Sequence, residues 1–133
     1  MKKPLLILIL FPTSFFAQSE WKFVGADSED ARYYIKDTSK KSYSEDITFW
    51  VKIDDADKVV KTKKGRITKK GTSTKQFWKA NCKEKTIEII SITKYSSTGK
   101  VLWSDSFPSL PKPVVPDSIG EAVFYEGCTY INN

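Results

Sequence analysis

Cys82 and Cys128 are the only thiols in a chain of 133 residues, and no histidine accompanies them. Without an imidazole the chain can build neither a Ser-His nor a Cys-His nucleophile, and it lacks the commonest general base at neutral pH. Two sulfurs alone do not complete a zinc site, which takes four ligands. Ser97-Thr98-Gly99-Lys100 matches the S-x-x-K string of serine acyltransferases. That string works at the start of a helix in a large pocketed domain, whereas here it falls where a turn is expected. Asp54, Asp55 and Asp57 could suggest calcium. The glycine and distal glutamate of a calcium loop are missing, so a role at a strand end is the simpler expectation. A carboxylate-pair hydrolase stays open from spacing alone, with no second feature behind it. The expectation is a protein that is not an enzyme and carries no metal and no cofactor, which leaves binding.

Two groups of residues could bind. Residues 58–79 hold nine cations and no acid: Lys58, Lys61, Lys63, Lys64, Arg66, Lys69, Lys70, Lys75 and Lys79. Within them Lys63-Lys64-Gly65 recurs as Lys69-Lys70-Gly71. Such a run steers acidic glycans, lipopolysaccharide, nucleic acid or an acidic protein patch toward itself. The competing reading is a long solvated loop kept extended by its own charge. No recognised module surrounds the lysines, so specific nucleic-acid reading is not expected. The second group is aromatic. Trp50 and Phe77 each point away from the apolar side of their strands, which suggests a partner surface such as a self-complementary dimer interface. Scattered surface aromatics, or cover from a neighbouring segment, would look the same.

The amino terminus bears on the compartment. Lys2 and Lys3 precede an apolar run over residues 5–11, then Pro12-Thr13-Ser14 breaks it before Phe15-Phe16-Ala17. This is the order of a secretory signal, and the run is too short to span a bilayer. Cleavage is expected after Ala17, with Ala17-Gln18-Ser19 as a second small-x-small choice. A buried amino-terminal helix is the other reading, but nothing caps it and no amphipathic period runs through it. Residues 1–17 are thus expected to be a signal peptide and residues 18–133 a single domain. Losing Lys2 and Lys3 lowers the formal charge from +6 to +4. No transmembrane segment is expected in the mature chain. In an oxidising compartment an even cysteine pair reads as a bridge, with two free thiols as the alternative. A Cys82–Cys128 bridge would contribute on the order of 4 kcal/mol by chain-entropy reasoning.

The binding residues need elements to hold them. Alternation of apolar and polar residues predicts strands around Trp21 and Phe23, around Tyr33 and Ile35, and through Ile47, Phe49, Val51 and Ile53. Further strands are expected over residues 75–82, 86–95 and 100–104, the last two joined by a hairpin at Ser96-Ser97-Thr98-Gly99. Pro108, Pro111, Pro113 and Pro116 then push residues 107–116 into an extended crossing. Ser118 and Glu121 have the spacing of a capping box, Asp117 sits at the positive end of the dipole, and Gly127 reads as a left-handed stop. That leaves about two turns of helix, too few to persist alone in water. Ile119, Ala122 and Val123 would form its apolar face with Phe124 beside it. Cys128 would clamp it to the strand on which Trp78, Ala80 and Cys82 share a side. The fold class is α+β: an antiparallel meander of about six strands with a short C-terminal helix disulfide-tethered to one face.

Several pieces recur in a familiar order. They are Trp21, the Tyr33-Tyr34-Ile35 strand with Asp37 and Ser39 after it, Phe49-Trp50-Val51-Lys52 and Asn81-Cys82. Tyr95-Ser96-Ser97-Thr98-Gly99-Lys100-Val101-Leu102 and Pro116-Asp117-Ser118-Ile119-Gly120-Glu121 with Cys128 complete the set. Together they resemble the surface-adhesin protein E family over nearly the whole mature chain. The resemblance implies a multi-stranded antiparallel sheet, a C-terminal helix tethered by a disulfide to its concave side, a homodimer, and host matrix or serum proteins as ligands. It carries no catalytic residues. Surface-held relatives have a lipidated cysteine at the cleavage site, and residues 1–30 here contain none. A lipid anchor is therefore not expected, which leaves a periplasmic, surface-associated or released protein. A periplasmic structural or assembly component with no external ligand is the alternative function.

Overall fold

The computed structural model describes residues 20–106 and 109–130. The expected signal segment and its cleavage site lie outside these residues, as do Phe107 and Pro108 of the crossing.

Six strands form an antiparallel sheet in the order β1 (Lys22–Ala26), β2 (Arg32–Lys40), β3 (Asp46–Asp54), β6 (Ser73–Asn81), β7 (Thr86–Tyr95) and β8 (Val101–Ser106). A two-residue strand β9 (Lys112–Pro113) adds to β7 through Thr86 and Ile87. The meander is interrupted once. Between β3 and β6 the chain leaves the sheet as a separate hairpin, β4 (Lys58–Thr62) with β5 (Gly65–Lys69). The basic segment is therefore not an open loop. Val59, Val60, Thr62, Ile67 and Thr68 are β-branched and favour extended backbone. Gly65 at φ 119° supplies the positive dihedral of the turn. These local preferences outweigh repulsion among exposed, water-screened lysines.

The core lies between one sheet face and the helix α1 (Ile119–Tyr130). Ile35, Ile47, Phe49, Val51, Trp78 and Ala80 rise from the sheet to meet Val123 and Phe124. Phe49 and Phe124 are essentially inaccessible, and burial of each contributes about 2–3 kcal/mol. A bulge opposite Phe77 and Trp78 passes over Ile90, so that Ile89 pairs with Trp78 and Ile87 with Ala80, and both isoleucines pack on the core.

The helix differs from expectation in two respects. It runs for 12 residues rather than two turns, because Gly127 does not stop it. Gly127 is helical and buried, lying so close to Phe49 that a Cβ would come within 2.7 Å of the ring. Ala122 is exposed, and the stripe facing the sheet is Val123, Phe124 and Gly127 with Ile119 at its start. The start is capped as its residues suggest: Glu121 N–H donates to Ser118 Oγ at 3.1 Å, and Asp117 N–H donates to Glu121 Oε1 at 3.3 Å. Asp117 itself is left-handed at φ 59°. Cys82 and Cys128 are bridged with their Cα atoms 5.9 Å apart, and Lys22 of β1 holds Glu126 by an ion pair.

Candidate functional site

The β4–β5 hairpin concentrates the cations. Lys58 pairs across it with Lys69, and Lys61 with Arg66, while Lys63 and Lys64 occupy the turn. Cross-strand partners share a face. Lys58 and Lys69 therefore flank the Val60–Ile67 pair on one side, and Lys61 and Arg66 flank Val59 and Thr68 on the other. Every residue of both strands is exposed. Like charges set opposite each other repel, and an anion lying between them would remove that cost. Thr62 shapes the turn by donating its hydroxyl to Gly65 O at 2.8 Å and accepting from Lys64 N–H at 3.3 Å.

Three aspartates hold the hairpin to the sheet. Asp57 accepts Gly71 N–H at 2.9 Å and pairs with Lys70 Nζ at 3.1 Å. Asp55 accepts the Thr72 hydroxyl at 2.6 Å and donates its own N–H to Thr72 O. Asp54 accepts the Ser73 hydroxyl at 2.7 Å. These carboxylates close the base of the hairpin, and no group of three or more His, Cys, Asp or Glu suited to a metal occurs among the described residues. The Gly71 N–H, followed by Lys70, holds the Asp57 carboxyl below its ordinary pKa. Gly71 has no room for a side chain, since a Cβ would fall 1.9 Å from Asp55 O.

Beside this base lies a cleft of about 270 Å³ lined by Lys58, Lys69, Lys70 and Lys94 together with Glu29 and Asp55. Lys94 was not among the expected site residues. It is on β7 and arrives there because it pairs with Thr74 of β6, just past the hairpin. A separation of 24 positions from Lys70 gives no local signal for it.

The remaining cations lie elsewhere. Lys75 and Lys79 belong to β6. Lys75 Nζ lies 4.9 Å from the centre of the Tyr95 ring, and Lys79 pairs with Glu88 at 3.2 Å. The register sets Trp50 directly across from Phe77 on the face that α1 does not cover, with ring centroids 5.0 Å apart. Trp50 is 36% exposed. The Ser97-Thr98-Gly99-Lys100 string forms the tip between β7 and β8: Gly99 is at φ 88°, and Lys100 N–H donates to Ser96 Oγ at 3.1 Å.

Among the described residues no helix is long and apolar enough to cross a membrane. No curated protein and no solved structure matches the chain. The family model described as "Surface-adhesin protein E" matches residues 21–129, which span β1 to α1, the bridge and both candidate surfaces. The chain belongs to the surface-adhesin protein E family.

Proposed function

We propose that the protein is an exported, non-catalytic adhesin whose β4–β5 hairpin is the contact element for an acidic surface on a host macromolecule. The observation that carries this reading is the hairpin itself. It is an ordered, fully exposed finger bearing Lys58, Lys61, Lys63, Lys64, Arg66 and Lys69 without an acid among them. Cations in that arrangement raise the rate of encounter with an acidic partner and give the complex a marked salt dependence. Family membership supplies the adhesin class, and the signal-like amino terminus supports export.

The test is binding to immobilised matrix and serum proteins by the native protein and by a variant carrying Lys63→Glu and Lys64→Glu. The variant should bind at least about tenfold more weakly, mostly through a slower on-rate. Equal binding by both would remove the hairpin from the reading. Fractionation of the native protein tests the compartment, because a chain confined to the periplasm would never meet a host ligand.

A further inference from the structure

The hairpin is not the only cationic surface. On the sheet face opposite α1, Lys36 is the cross-strand partner of Trp50, and Lys75 is the partner of Lys52 beside Phe77. The carboxylates on this face already have partners: Asp54 pairs with Lys52 at 3.5 Å, Glu88 with Lys79, and Asp46 accepts from the Asn81 amide at 3.0 Å. No carboxylate pairs with Lys36 or Lys75 among the described residues. Toward β8 the same register places Ser91 next to Phe77 and Thr93 next to Lys75, with the Thr93 hydroxyl 2.7 Å from that of Ser104. The face thus offers an aromatic pair, with Trp50 exposed and Phe77 half-buried beside it, flanking cations and a floor of hydroxyls.

Three occupants could be considered, and the charges and rings separate them. Two copies of the chain packed through this face would bury Lys36 and Lys75 with no free carboxylate to pair them, since the acids here are already engaged. Single-stranded nucleic acid needs successive free rings on which to stack bases. Of the other rings on this face, Tyr34 and Trp21 carry the ammonium groups of Lys52 at 4.4 Å and Lys36 at 5.5 Å, and the exposed Phe23 lies beside Asp30, Asp54 and Asp57, which repel a phosphate backbone. A sugar needs one stacking platform, hydrogen-bonding hydroxyls around it and, where it carries carboxylate or sulfate, cations at its edges.

We propose that this face binds an acidic polysaccharide. One sugar ring lies against Trp50 and Phe77, its anionic groups meet Lys36 and Lys75, and its hydroxyls meet Ser91 and Thr93. The path runs toward β8 and away from the corner made acidic by Asp30, Asp54 and Asp57. The proposal rests on the reading of the chain as a binding protein, but it uses none of the hairpin lysines.

The experiment measures binding of heparin, desulfated heparin, neutral dextran and a thymidine oligonucleotide to the full chain. Calorimetry and intrinsic fluorescence are the readouts, the Trp50 signal being taken as the difference from Trp50→Ala because the chain has four tryptophans. Heparin should bind, dextran should not, and Trp50→Ala should weaken heparin binding about tenfold while Trp50→Tyr keeps most of it. Circular dichroism and Tm of each variant separate lost binding from lost folding. Heparin affinity that survives Trp50→Ala but disappears in the Lys63→Glu, Lys64→Glu variant would overturn the proposal and leave the hairpin reading standing. So would equal binding of dextran, or an oligonucleotide that binds as tightly through the same residues. A concentration-dependent dimer abolished by Trp50→Ala would overturn it in favour of a self-interface.

Discussion

Gly127 lies against the face of the Phe49 ring, with room for hydrogen alone: a Cβ there would lie 2.7 Å from Phe49 Cε1 and 3.0 Å from Cδ1. Phe49 is fully buried and cannot swing away. Gly127→Ala gains about 1 kcal/mol of helix propensity. Against that, overpacking a closed core costs about 1–3 kcal/mol. The expected outcome is a net loss of about 1 kcal/mol and a fall in Tm of about 5 °C by calorimetry. A rise in Tm would mean that α1 sits farther from β3 than described.

The bridge fixes the same end of the helix one residue on, at Cys128. Cys82 and Cys128 enclose a loop of 46 positions, and replacing both with serine should cost about 4 kcal/mol on the chain-entropy account. Val123 and Phe124 still bury their side chains in that variant, so the sheet should outlast the helix. Hydrogen exchange should show the amides of α1 losing protection before those of β3 and β6. Simultaneous loss would show that the two layers unfold as one unit.

Much of this frame was legible because burial imposes a period. Ile47, Phe49, Val51 and Ile53 alternate because one side of β3 faces α1, and the even cysteine pair together with the Ser118–Glu121 spacing located the helix and its tether. The β4–β5 hairpin was not legible, because both of its faces are wet and its apolar residues mark no common side. Gly127 reads as a stop because glycine so often ends helices, whereas its role is set by Phe49, 78 positions away. Ala122 faces solvent rather than the sheet for a related reason. Once the helix continues past Gly127, the stripe through Ile119, Val123 and Gly127 is the one that meets the sheet. Trp50 and Phe77 were legible as residues facing away from the core, but the lysines flanking them follow from register, which alternation alone does not give.

Acid should loosen the hairpin at its base. The folded pKa of Asp57 is depressed, chiefly by the Gly71 N–H and then by Lys70. Its contribution is therefore fully present above the ordinary carboxylate value of 3.8 and is lost as pH falls through the lower folded value. Exchange of the Gly71 and Thr72 amides should accelerate across that acidic window. In Asp57→Asn the acceleration should vanish and exchange should be faster at neutral pH, because the charge on the acceptor is gone.

The start of α1 makes a separate prediction. Asp117 is left-handed at φ 59°, a conformation that glycine enters freely and a β-branched residue resists. Asp117→Gly should be nearly neutral, while Asp117→Val should cost about 1–2 kcal/mol in denaturant unfolding. Equal stability of the two variants would show that the cap does not depend on that backbone turn.

Gly71 allows the charge of the hairpin to be separated from its placement. Its Cβ would fall 1.9 Å from Asp55 O and 2.7 Å from the Asp55 carbonyl carbon. Both are backbone atoms, and Asp55 N–H is already committed to Thr72 O at 2.9 Å. Neither segment can yield without breaking that bond or the one from Gly71 N–H to Asp57, so Gly71→Ala should release the base of the hairpin while leaving every lysine in place. If the hairpin acts only as a cloud of charge, binding to an acidic partner should not change. If it acts as a preorganised finger, ordering it on binding adds a cost that the native protein does not meet. The expected result is an affinity about five- to tenfold weaker, with the slope of affinity against salt unchanged because the same cations still meet the partner. A change in slope without a change in affinity at low salt would show that the cations themselves had moved away from the partner.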